Sequence, residues 1–443
     1  MKLWQKDADS LKEVIEFTSG NDNSLDLLLA KSDVLGSLAH IAMLNKINLL
    51  KKDEYLLLRK ELILIFKSIE DGKFKIDAGV EDIHSQLEIY LTSKIGEVAK
   101  KIHSGRSRND QVLVDIKLFL RNEIRVLVDE IKKLFDLLIS KSESHKSDLL
   151  PGYTHLQLAM PSSFGLWFGA YAESLSDDLI PLLGAYEFVN KNPLGSGAGY
   201  GSSFPLDRRK TTELLGFNDL NYNVVYAQMC RGKTERIVAT ALTNIATTLS
   251  KLAMDVCIYL NQNFGFISFP EELTTGSSIM PHKKNPDVFE IVRARCNSLL
   301  ALPNEIALIT TNLPSGYHRD FQILKEKLFP AFKVLSQCIQ ITHLMLSNIE
   351  IKKNLLEDEK YKYLFSVEEV NKLVLQNVPF RDAYKKIGQD IKSGEFHHSK
   401  NISHTHEGSI GNLCNDKIEL SIKNFILRFD FKKAMVAEAS LLK

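Results

Sequence analysis

Four stretches of this chain gather side chains that can move protons or hold anions, and each interrupts an otherwise helical pattern. In "HSGRSRNDQ" at 103–111, Gly105 permits a tight turn beside Arg106 and Arg108, and Asn109 or Asp110 can cap the helix that follows. Arginine beside a helix N-terminus suits a carboxylate or phosphate, because guanidinium and helix dipole both favour an anion. In "PGYTHLQLAMP" at 151–161, a Pro-Gly turn leads to Thr154 and His155 at the expected start of the next helix. His155 is a candidate proton carrier, since imidazole titrates near neutral pH. The stretch "ELTTGSSIMPHKKNPDVFE" at 272–290 combines Gly276, Ser277 and Ser278 with Lys283, Lys284, the Asn285-Pro286 pair and Glu290. Its small residues can form a mobile anion cradle, and Ile279, Met280 and Pro281 suit closure over a ligand. Finally, "LPSGYHRDFQILKE" at 313–326 adds Tyr317, Asp320, Gln322 and Lys325. Taken singly, these stretches have plainer readings: a helix cap, a hydrogen-bonding histidine, a solvated basic loop.

The elements that must position these groups are long helices. From Asn109 to about Ser144, Ile116, Leu120, Ile124, Leu127, Ile131, Leu134 and Leu138 recur at spacings of three and four. A helix of that length runs roughly 50 Å. Further helical patterns cover 162–192, where Pro181 is expected to introduce a kink, then 231–263, 286–302 and 326–349. The expected class is all-α, with shorter helices over 1–107, a long-helix bundle over 108–357 and a smaller C-terminal region over 358–443. Helices this long carry wide apolar faces, and a bundle shared between subunits would cover them.

Composition excludes several function classes. The chain has 443 residues and a formal net charge of +1, so no global field draws it to nucleic acid or anionic membrane. No run of about 18 apolar residues marks a membrane span. The start, "MKLWQKDADSLKE", lacks the apolar core and cleavage site of a signal peptide. Five scattered cysteines without a CxxC pair fit a reducing cytoplasm. The histidines at 397, 398, 404 and 406 fit no metal-ligand template, so no metal is expected there. His84 and Glu88 lie one helical turn apart, which fits a surface pair.

Together the motifs resemble those of a known family. "GSSIMPHKKNP" at 276–286 resembles the signature loop of the fumarase/aspartase superfamily. "HSGRSRNDQ", "GYTHLQLAMP" and "YHRDFQ" resemble the argininosuccinate lyases within it. Softer matches extend nearly end to end: "KLW" at 2–4, "DVLGSLAH" at 33–40, "EDIHSQLE" at 81–88, "PLGSGA" at 193–198 and "VPFRDAY" at 378–384. The resemblance implies a three-domain helical lyase and reversible β-elimination of argininosuccinate to arginine and fumarate. It also implies no metal or organic cofactor, and a homotetramer around a twenty-helix core whose active sites are shared between subunits.

It further implies roles. Ser277 would be the base, with Lys283 and loop N–H groups stabilising its ionised form and the doubled carboxylate charge of the intermediate. His155 would be the acid, oriented by Glu290; the opposite assignment of acid and base is also open. Ser107, Arg108, Asn109, Thr154, Asn285, Tyr317, Gln322 and Lys325 match substrate-binding positions. The resemblance equally allows a carboxylate contact for His84. The chain departs from the family pattern at "QKDADS" after "KLW", at Met160 and at "RGKTER" over 231–236, and an N-terminal substrate contact within 17–26 is not assignable. The alternatives are a sister fumarate-releasing lyase, which "GRSRNDQ" argues against, and a non-enzymatic crystallin-like relative. The joint presence of His155, Ser277, Lys283 and Glu290 argues against the latter.

Overall fold

A computed structural model describes residues 12–20, 22–77 and 79–443; the "KLW" stretch and its neighbours lie outside them. The N-terminal region holds α1 (Lys12–Ser19), α2 (Asp22–Lys46), α3 (Lys52–Glu70) and α4 (Ile83–Ile95), closed by a 3-10 turn, Gly96–His103. Next come α5 (Arg108–Ser144), a hairpin of β1 (Leu149–Thr154) and β2 (Gln157–Ser163), and α6 (Phe164–Val189). Short pieces follow: β3 (Lys191–Asn192), α7 (Arg208–Leu214), β4 (Asp219–Leu220) and α8 (Val224–Met229). Then α9 (Lys233–Leu260), β5 (Ile267–Ser268), α10 (Asp287–Leu299), α11 (Leu302–Ile309), α12 (Ile323–Ser347) and β6 (Glu350–Ile351) complete the central stretch. The chain ends with α13 (Ser366–Leu375), α14 (Phe380–Ser393), α15 (Asn415–Phe429) and α16 (Phe431–Leu442).

The seven periodic apolar residues of α5 are each at most 2% exposed, so the helix-period stripe is its core face. α5 packs on α6, α6 on α9, α9 on α10, and α12 lies against α5, α9 and α10. α6 runs unbroken through Pro181, and α12 through Pro330. A second core joins α2, α3 and α4 and takes in Leu215, Phe217 and Leu441. A third, small one is built from Val370, Ala383, Ile387 and Phe396. The last two helices return to the larger cores: Ile418, Ile422 and Phe429 enter the bundle, and Leu441 enters the second core.

Two local expectations are corrected. Thr154 and His155 do not begin a helix: Thr154 ends β1, and His155 and Leu156 form the two-residue turn to β2. Both turn residues have left-handed φ, 54° and 59°, as a tight hairpin turn requires. The α5 cap is Ser107 rather than Asn109 or Asp110; its Oγ accepts from Asn109 N at 3.3 Å, and Asp110 Oδ1 accepts from Ser107 N at 2.8 Å. α2 and α9 are apolar enough by length and composition to cross a membrane, yet 78% and 56% of their most apolar windows are buried in this fold.

Candidate active site

The site begins on α2. Asp22, Asp26, Asp33, Ser37 and His40 recur at helical spacing along one stripe of this otherwise apolar helix, and all are buried. They hold the segment that carries the arginines. His40 Nε2 lies 2.9 Å from the Ser104 carbonyl oxygen, Arg106 donates to Ser37 Oγ at 3.0 Å, and Gln111 donates to Asp33 at 2.7 Å. The other oxygen of Asp110 accepts the N–H groups of Gly195 and Gly197 at 2.8 and 3.0 Å, so the "PLGSGA" loop wraps the start of α5. Gly195 and Gly197 have left-handed φ of 85° and 60°, which the wrap exploits.

His84 is not a surface pair with Glu88. Its side chain is 2% exposed, with Nδ1 3.3 Å from Asp33 and 3.7 Å from Asp115. Among the described residues, this is the group of His, Cys, Asp and Glu side chains close enough together to hold a metal ion. Both acidic side chains face the same ring nitrogen, Nδ1. Burial alone would lower the His84 pKa, but Asp33, Asp82 and Asp115 push it up to about 9. A histidine raised from 6.5 to about 9 contributes stability fully present below pH 6.5 and lost as pH rises through 9. Urea unfolding at pH 6, 7.5 and 9 should therefore show stability falling across that window. His84→Asn should abolish the fall and cost about 3 kcal/mol or more at pH 6, because two buried carboxylates lose their partner. Parallel pH curves for the two proteins would refute this account of His84.

Above this network lies a cavity of about 260 Å³. Arg108, Asn109, Tyr317, Gln322 and Lys325 line it, so five of the eight expected substrate-binding residues meet there. Sequence reasoning missed the rest of its wall: Val112 and the charged Asp22, Asp26, Glu81, Asp82, Arg231 and Arg319. Arg108 bridges Glu81 and Asp82 at 3.3 and 3.0 Å and donates to Ser85 Oγ at 2.8 Å. Lys325, 5% exposed, sits 2.9 Å from Asp22 and 2.5 Å from Asp26. Burial opposes its charge, but the two carboxylates hold its pKa above the usual lysine value. Arg231, within the divergent "RGKTER", pairs with buried Glu235 at 3.0 Å and donates to the Phe321 carbonyl at 2.8 Å. The signal for Arg231 was that departure itself; for Asp22 and Asp26 it was two acids four residues apart on an apolar helix.

Among the described residues, none of His155, Ser277, Lys283 and Glu290 lines this cavity. Exposed Thr154 and His155 project on the hairpin, whose strands pack on 355–365. Tyr153, just before them, packs edge-on to Phe264 at 5.5 Å and stiffens the hairpin base. The 274–287 loop is closed at its neck: Asn285 N donates to the Thr275 carbonyl at 2.8 Å, Asn285 Nδ2 to the Gly276 carbonyl at 3.3 Å, and Thr275 to Asp287. Its tip is free, with Ile279 83% exposed and Lys283 exposed. Within the tip, the N–H groups of Ile279 and Met280 converge on Ser277 Oγ at 3.4 and 3.2 Å. Two donors aimed at one hydroxyl oxygen favour its ionised form. Glu290, on the first turn of α10, lies 4.0 Å from Arg293.

The chain is similar to known lyases in sequence and in fold. A family model described as Lyase matches residues 13–300. An argininosuccinate lyase of Bacteroides fragilis is 59% identical over all of this chain and 99% of its own length. One from Phocaeicola vulgatus is 58% identical over the same shares, and one from Thermotoga neapolitana is 36% identical over 88% of this chain and 98% of its own. In fold, the chain is similar to an EDDS lyase crystallised with formate: TM-score 0.75, 19% identity, 98% and 94% of the two chains. A fumarate lyase:delta crystallin from Brucella melitensis gives a TM-score of 0.71 at 17% identity, over 92% and 91%. The chain belongs to the lyase family of the fumarase/aspartase superfamily, with its all-α fold. Within that family, its full-length relatives set it among the argininosuccinate lyases.

Proposed function

We propose that this chain splits argininosuccinate into arginine and fumarate in active sites completed by other copies of itself. Ser277 takes the proton from the carbon next to a substrate carboxylate. The electron pair forms the new double bond, the carbon–nitrogen bond breaks, and the guanidinium nitrogen leaves with a proton from His155. Lys283 and the loop N–H groups stabilise the dianionic intermediate, and Glu290 of one copy charge-matches His155 of another. Arg108, Asn109, Tyr317, Gln322 and Lys325 bind substrate in the cavity, Thr154 and Asn285 bind it from the hairpin and the loop, and Ser107 sets the start of α5. The observation that carries the role of Ser277 is the convergence of two N–H groups on its Oγ at the tip of a loop pinned at its neck.

Charge supports assembly. The cavity wall offers four cations, Arg108, Arg231, Arg319 and Lys325, against four carboxylates, Asp22, Asp26, Glu81 and Asp82. A substrate with three carboxylates needs further positive charge, and a partner's loop carrying Lys283 supplies it. Apolar surface supports it too: a groove of about 620 Å³ between α10 and α12 is lined by Val288, Ile291, Ile341 and Leu344, and Ile291 and Leu344 are exposed. A homotetramer with a twenty-helix core, a cytoplasmic location, catalysis without metal or organic cofactor, and the division at 1–107, 108–357 and 358–443 belong to the same reading. The test follows fumarate absorbance with purified protein and argininosuccinate, with adenylosuccinate, aspartate and malate in parallel. Turnover confined to argininosuccinate is expected; turnover only on another of the four would overturn the substrate assignment, and silence on all four would favour a non-enzymatic relative.

A further inference from the structure

We propose that a second cavity, at the start of α9, is a regulatory site for a phosphate group, bound by Arg231, Lys233 and Arg236. The site lies on "RGKTER", where the chain departs from the pattern of its family. The cavity has a volume of about 310 Å³, and these three cations stand in its wall without a carboxylate among the lining residues. The substrate cavity, by contrast, sets four cations against four carboxylates. Lys233 Nζ lies over the rings of Phe188 and Tyr226 and 3.4 Å from the Tyr226 hydroxyl. Among the described residues neither Lys233 nor Arg236 pairs with a carboxylate. Like charges gathered against the apolar side chains of Leu313, Pro314 and Phe321 favour an arriving anion. The first turn of α9, a helix of 28 residues, adds backbone N–H groups and the positive end of its dipole.

Arg231 supplies the second observation. It is 6% exposed, and its guanidinium is held over the Phe321 ring at 5.4 Å. Its Nε donates to Glu235 at 3.0 Å and its Nη2 to the Phe321 carbonyl at 2.8 Å, while its Nη1 has no hydrogen-bond partner among the described residues. A guanidinium nitrogen left over in a cavity wall calls for an acceptor. Arg231 is also the residue common to both cavities, so one guanidinium forms part of each wall. The chain joins them a second time: Ser315 and Gly316 line the second cavity, and Tyr317 lines the first. An anion held on the Arg231 guanidinium opposes an anionic substrate drawing on the same charge. This coupling rests on the proposed substrate; the phosphate site does not.

The test is isothermal titration of the full-length assembled protein with inorganic phosphate at constant ionic strength, with and without L-arginine, and with AMP in parallel. Wild type should bind phosphate, and the double variant Lys233→Gln, Arg236→Gln should bind it at least about tenfold more weakly, the scale of a lost charge-assisted hydrogen bond. Both side chains are exposed, so the variant should keep its fold. No binding to wild type, or undiminished binding to the variant, would overturn the site. Strict competition with arginine would overturn it as well, because the anion would then sit in the substrate cavity. AMP separates the two sources of a phosphate group. Tighter binding than phosphate, weakened in the variant, assigns a phosphorylated metabolite; weaker binding assigns the free anion. In the fumarate assay, phosphate should raise KM for argininosuccinate in wild type at unchanged kcat and leave the variant's KM unmoved. A wild-type KM indifferent to phosphate would overturn the regulatory role. Absence of turnover would sink the proposed reaction and leave the titration to decide the site.

Discussion

Ser277→Ala should abolish turnover and leave substrate binding nearly intact. Removing the group proposed to take the proton should lower kcat by about a thousandfold or more, the scale of a lost base or nucleophile. KM, or a directly measured Kd, should move little, because Ser277 is not among the proposed binding residues, five of which line the cavity. The fold should be indifferent, since among the described residues Ser277 bonds to backbone two and three residues away and the loop neck is held by Thr275, Asn285 and Asp287. Retention of more than a few per cent of wild-type rate would remove Ser277 from the mechanism. Ser278, exposed one residue along, serves as the control: Ser278→Ala should retain most activity.

Much of this arrangement was legible before any coordinates, for reasons that differ by element. The α5 helix declared itself because its core stripe keeps a helical period over 37 residues. The 272–290 loop declared itself by breaking that pattern with glycine, serine and proline. The hairpin at 149–163 did not. Its turn uses His155 and Leu156 in left-handed conformation, where glycine or asparagine would have announced a two-residue turn. Residues of this kind are costly at positive φ, and the strain falls at a proposed catalytic histidine. Asp22, Asp26, Glu81 and Arg319 were missed because they converge from α2, from before α4 and from before α12, and no local pattern reveals such a meeting. His84 was misjudged for the same reason: its carboxylate partners lie on α2 and α5, not one turn along its own helix.

The most direct test of a site built between copies is a mixing experiment with two variants expected to be inactive, Ser277→Ala and His155→Asn. Neither residue lines the cavity, and each stands on a separate exposed projection of its own chain. If a working site draws its loop from one copy and its hairpin from another, a randomly mixed one-to-one assembly holds some sites with both groups intact. About a quarter of the sites should qualify, because each of two independent copies must be the right one. Co-expressed with different tags and purified through both, the mixed assemblies should recover about a quarter of wild-type fumarate formation, against almost none for either variant alone. Mixed assemblies that form and remain as inactive as their parents would mean that His155 and Ser277 must come from the same chain, and the account of a shared site would be wrong.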